Sequence, residues 1–111
     1  MRIGALDPRL QPAAMLHIGI LQFSVEIPYA LSLKDKRSAI KSLKDKLRRS
    51  FNVSIAEIED LDLITEGTLG AVVAGSDVAH LNSTMDHLLN ELQEWRDGTL
   101  VDHQLEIISP R

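Results

Sequence analysis

The chain has 111 residues, 44% hydrophobic, 25% charged, with no cysteine and a formal net charge of −4. That size suits one two-layer core rather than two independent ones. The lack of cysteine excludes a disulfide scaffold, a thiolate metal site and a cysteine nucleophile. No apolar run is long enough to span a bilayer and no secretory signal is visible, so a cytoplasmic protein without a membrane partner is expected.

Residues 1–14 read as a disordered N-terminal extension, because Asp7-Pro8 and Gln11-Pro12 break regular structure and no periodicity is present. The single domain is expected over 15–111, and Met15 is an alternative start. His17 to Ile27 reads as a strand: Leu21, Phe23, Val25 and Ile27 alternate with Gln22, Ser24 and Glu26. Ile18 and Ile20 fall on the second face. Pro28 ends the ladder.

Ser32 to Ser50 reads as a helix. Ser32 caps it, with Asp35 three residues on, and Leu33, Ile40, Leu43, Leu47 and Phe51 form an apolar stripe. A strand is expected over Val53 to Ile58, then an acidic, solvated connection over Glu59 to Gly67. A third strand of small residues runs Leu69 to Gly75, where Gly70, Ala71 and Ala74 would admit a close neighbour. Ser76 is read as the cap of a second helix, with Asp77 in its first turn. Its stripe is Val78, Leu81, Met85, Leu88, Leu89, Leu92 and Trp95, and Gly98 is its stop. A last strand covers Val101 to Ile108, with Leu105 and Ile107 inward. The order β-α-β-β-α-β predicts an α+β, ferredoxin-like fold: a four-stranded antiparallel sheet with two helices on one face.

Charge is polarised along the chain. Lys34 to Arg49 holds eight of the twelve basic residues and only two acids, a local +6, leaving four basic and fourteen acidic residues, or −10, elsewhere. Lys34, Arg37, Lys41, Lys44 and Arg48 recur at intervals of three and four, which aligns them down one helix face, and Lys36, Lys46 and Arg49 broaden the stripe. Like charges at this spacing repel by about 0.2–0.5 kcal/mol per pair. A polyanion would relieve the repulsion, so RNA or DNA phosphate is a natural partner. The other reading is a solvated face whose long stems cover the core edge. Phe23 and Trp95 fall on inward positions, so base stacking on the sheet, as in RNA-recognition domains, is not expected.

The remaining chemistry is sparse. His17, His80, His87 and His103 match no zinc spacing and read as surface or strand-edge residues. There is no phosphate-binding glycine loop and no nucleophile elbow, so neither an enzyme nor a cofactor is expected. A sensor or enzyme would need a deep polar pocket near Asn52 and Glu57. On the open sheet face Ile18, Ile20, Val72 and Ile108 would form an apolar surface, suited to homo-oligomerisation or a protein partner, or would simply be scattered exposed aliphatics.

Ser32-Leu33-Lys34-Asp35-Lys36-Arg37 resembles the S-L-K-x-K-R signature of the YlxP-like family of uncharacterised bacterial proteins. Phe51-Asn52-Val53-Ser54-Ile55-Ala56-Glu57 resembles that family's F-N-V-S-x-A-E segment, and Met15 to Gly19 resembles its usual start. The resemblance covers about 15–109. It implies a ferredoxin-like fold, the motif positions Ser32, Lys34, Lys36, Arg37, Asn52, Ser54 and Glu57, and a gene context near translation and ribosome-maturation factors. It thus points, by association, to RNA or ribosomal particles. The chain departs from the pattern after Asp62, where Leu63-Ile64-Thr65 replaces the aromatic of many relatives.

Overall fold

The computed structural model describes residues 15–110. The extension expected over 1–14 lies outside the described residues. Six elements follow in order: β1 (His17–Glu26), α1 (Leu33–Ser50), β2 (Ser54–Glu59), β3 (Glu66–Gly75), α2 (Val78–Gln93) and β4 (Thr99–Ile108). The strands form one sheet in the order β2-β3-β1-β4, with every neighbouring pair antiparallel. Each helix connects two strands that flank a third, the split βαβ arrangement of the ferredoxin-like fold.

Period-two alternation decides which strand residues meet the helices. Leu21, Phe23 and Val25 of β1, Leu69, Ala71 and Val73 of β3, and Ile55 of β2 are buried. They pack with Ile40, Leu43 and Leu47 of α1, with Leu81, Met85, Leu88 and Leu92 of α2, and with Trp95. Burying each large side chain contributes about 1.5–3 kcal/mol. In α2, Val78 is exposed and Leu89 only half-buried, so the stripe is narrower than the sequence suggests.

Several boundaries and roles differ from the sequence reading. Asp77, not Ser76, caps α2, its carboxylate accepting from the His80 N–H at 2.9 Å. Strand β3 begins at Glu66 and pairs with β1 over its whole length, Glu26 opposite Glu66 and His17 opposite Gly75. The tightest helix–sheet approach at a strand glycine is at Gly19, where a Cβ would lie 2.6 Å from Met85 Sδ, against 3.2 Å from Ile40 Cδ1 at Gly67 on β3. Gly70 and Ala74 share the phase of Val72 and so face away from the helices, and only Ala71 of the three small residues is buried. Gly98 has no positive φ. Its lack of a Cβ makes room for the Glu26 carbonyl and the Trp95 ring, 2.5 and 2.6 Å from where a Cβ would stand.

Candidate nucleic-acid interface on the first helix

Ser32 sets the start of α1: its Oγ accepts from the Asp35 N–H at 3.1 Å, while Asp35 Oδ2 accepts from the Leu31 N–H at 3.0 Å. This is close to a capping box, with the return bond shifted by one residue. With Ile40, Leu43 and Leu47 turned into the core, the opposite side carries the basic line. Lys34, Arg37, Lys41, Arg48 and Arg49 are exposed, and Lys44 and Lys46 are half-buried. Asp45 interrupts the line. Its carboxylate is 3.0 Å from Lys41 Nζ and 4.0 Å from Arg48 Nη1. The Lys41 hydrogen bond holds the Asp45 carboxyl below the usual range against an opposing desolvation effect, with the charges of Lys41, Arg48 and Arg49 adding to it. Solvent screens exposed pairs of this kind, so they contribute little to stability and leave the cations open to a competing anion. Arg48 has a second task, since its Nη2 donates to the Ile55 carbonyl at 3.2 Å and ties α1 to β2.

Lys36 does not belong to this surface, which corrects the sequence reading. It is 0% exposed. Its Nζ donates to the carbonyls of Asp60 (2.6 Å) and Leu63 (2.7 Å) and lies 2.9 Å from Glu57 Oε2. The Glu57 contact is an ion pair without hydrogen-bond alignment. Lys36 sits four residues before Ile40 on the line 36-40-43-47, so helical geometry sends its stem into the core. Two of its protons go to internal carbonyls and its charge faces Glu57, so the buried ammonium is not presented to a phosphate.

Two motif segments therefore meet inside the protein. Glu57 is the counter-ion of Lys36, and Ser32 is a helix cap. Ser54 is exposed on β2 opposite Val72, and Asn52 is exposed between α1 and β2. The β2–β3 connection carries exposed acids as expected, but its backbone is anchored. Asp60 adopts φ 61°, its carbonyl accepts from both Lys36 and the Leu63 N–H, and its carboxylate accepts from Thr68 Oγ1 at 2.6 Å.

On the open sheet face, Ile20 stands opposite Val72, and Ile18 opposite both Ala74 and Ile108. Val72 is exposed and the three isoleucines are half-buried. The other end of this face is polar: Gln22, Ser24, Thr68, Asp102 and Gln104 line a shallow depression of about 160 Å³. A larger open groove of about 430 Å³ runs beside α1, lined by Tyr29, Ser38, Ser42, Arg96 and neighbours. Tyr29 is 82% exposed. Neither depression includes Asn52 or Glu57. The sequence reading missed Tyr29 and Arg96. Pro28 signals the turn that exposes Tyr29, but the approach of Arg96 to α1 is tertiary and leaves no local trace. His80, His87 and His103 are exposed and His17 half-buried. Among the described residues, no three His, Asp or Glu side chains converge on a possible metal centre, and no helix is long and apolar enough to cross a membrane.

A family model described as "Protein of unknown function (DUF503)" matches residues 18–105. The chain belongs to this family. The matched span runs from β1 into β4 and includes both Lys36 and Glu57, so the internal ion pair lies within the DUF503 domain. No curated protein matches the chain. Among solved structures, the de novo designed protein Foldit4 is similar with a TM-score of 0.56 at 12% identity, covering 86% of this chain and 99% of the designed one. That likeness shows the fold of the DUF503 domain and nothing of its activity.

Proposed function

We propose that this DUF503 protein is a non-enzymatic accessory protein that binds structured RNA or ribosomal particles through α1. The observation that carries the reading is the exposed line Lys34, Arg37, Lys41 and Arg48, broadened by Lys44, Lys46 and Arg49, with Asp45 the acid paired within it and Asp35 in the first turn. Cations on a rigid rod match a phosphate backbone, and each neutralised phosphate releases counterions. Phe23 is buried and the middle of the open face presents Ile20, Gln22 and Ser24, so the sheet offers no aromatic platform. Recognition is then led by shape and phosphate rather than base identity. The test is co-sedimentation with ribosomal particles and total RNA, comparing wild type with the combined Arg37→Glu, Lys41→Glu and Lys44→Glu variant. Salt-sensitive binding that the variant abolishes supports the reading, and equal binding by both overturns it.

A second reading is a protein-interaction module on the open face. It is favoured by the grouping of Ile18, Ile20, Val72 and Ile108 at one end of the sheet. Val72→Glu would abolish such an interaction without unfolding the domain, because Val72 is already exposed.

A further inference from the structure

We infer that the outer edge of β4 pairs with β4 of a second copy of the chain, antiparallel, about a two-fold axis at Leu105. The sheet has two edges, and they are treated differently. Strand β2 is six residues long, carries a register shift between Glu57 and Glu59, and has its Ile55 carbonyl occupied by Arg48. Short length, a bulge and a basic side chain are the usual protections of an edge. Strand β4 is ten residues long and contains no Lys, Arg or Pro, and 101–106 are all exposed. Its irregularity is confined to one end, where Asp102 faces Ser24 but Leu100 faces Val25. From Asp102 to Ile108 it is regular.

The His103 N–H donates to its neighbour's carboxylate, Asp102 Oδ1, at 2.8 Å. It therefore points away from β1. By strand alternation the N–H and C=O groups of Leu105 and Ile107 point the same way, with no strand beside them. Such a row of backbone groups is a template for another extended chain.

Side-chain register selects a second copy as that chain. Residues opposite one another across an antiparallel pair share a face, so a two-fold axis must pass through a residue and its own copy. An axis at Glu106 sets two carboxylates against each other. One at Gln104 sets Asp102 against Glu106 twice, and like charges directly opposite are destabilising. One at His103 drives the pairing into the bulge at Val101. An axis at Leu105 does none of these: Leu105 meets Leu105, Gln104 meets Glu106, His103 meets Ile107 and Asp102 meets Ile108. It forms about six backbone hydrogen bonds and covers the Leu105 side chain, now 37% exposed. Helix α1 packs beside β2, at the far edge. An eight-stranded double sheet would thus leave both basic helices open on one face, roughly 30 Å apart by strand spacing.

The test is sedimentation velocity of the full chain over a wide concentration range, with Leu105→Lys and Val72→Glu beside wild type. The expected result is a wild-type dimer, a midpoint raised by about tenfold or more in Leu105→Lys, and no change in Val72→Glu. As a check independent of dimer affinity, the chain has no native cysteine, and Leu105→Cys should cross-link on mild oxidation because its Cα lies about 5.5 Å from its copy. Asp102→Cys, paired with 108, should cross-link far less. A wild type that stays monomeric throughout, a dimer abolished in Val72→Glu but kept in Leu105→Lys, or equal cross-linking by both cysteine variants would overturn the inference. RNA binding by a monomer would leave the reading of α1 standing on its own.

Discussion

Lys36 Nζ and Glu57 Oε2, 2.9 Å apart, join the first turn of α1 to β2, and the same ammonium holds the β2–β3 connection through the carbonyls of Asp60 and Leu63. One side chain thus fixes a helix, an edge strand and an acidic turn. Lys36→Met would strand the Glu57 carboxylate and two carbonyls. Removing one partner of a buried pair costs about 3–5 kcal/mol, and the slight exposure of Glu57 places this case near the lower figure. Urea denaturation should show that destabilisation, with part of it recovered in Lys36→Met/Glu57→Leu. Folded Lys36→Met should bind RNA as wild type does. A stability change under about 0.5 kcal/mol, the usual surface range, would contradict the structural role.

Gly19 and Met85 set the distance between α2 and the sheet. Gly19→Ala places a methyl group 2.6 Å from Met85 Sδ, so the helix or the thioether must move. Overpacking of this kind costs about 1–3 kcal/mol. In a Met85→Ala background the same substitution should cost less, and thermal melts of the four proteins in the cycle measure the coupling. Additive effects would show that this close approach does not set the packing.

The fold was legible because each element carries its own period. Leu21-Phe23-Val25 alternate, Ile40-Leu43-Leu47 recur at helical spacing, and Ser32 marks a start. The basic line was legible for the same reason. Lys36 was not, because its charge argues for solvent while its place argues for burial. It lies on the 36-40-43-47 line, and the spacing alone would have sent it inward, but the acceptors that make burial possible come from Glu57, Asp60 and Leu63 across a turn. The tight helix contact at Gly19 was not legible, because it depends on where Met85 of α2 lands, while Gly70 and Ala74 share the open-face phase of Val72. The exposed edge of β4 and the groove beside Tyr29 depend on strand order and helix placement, which no local pattern encodes.

Asp45 is the brake on the basic surface. Its lowered pKa means that its pairing with Lys41 is intact above the ordinary carboxylate range and is lost as pH falls through the lowered value. Lys41→Met should raise the Asp45 pKa toward the ordinary range, as read by NMR of the side-chain carboxyl. Asp45→Asn should tighten RNA binding at neutral pH, because it removes the acid that pairs with Lys41 and Arg48 within the line. Unchanged or weaker binding would show that phosphates do not approach this part of α1.

Whether α1 meets phosphate is tested most directly by the salt dependence of binding. Fluorescence anisotropy with a short RNA duplex, from about 50 to 200 mM salt, should give a linear fall of log K with log salt. The slope should become shallower by about one for each phosphate that is no longer neutralised, hence by about two in Arg37→Gln/Lys41→Gln, and should be unchanged in Lys36→Met. Binding that is insensitive to salt, or a slope that the double variant leaves intact, would contradict the central claim.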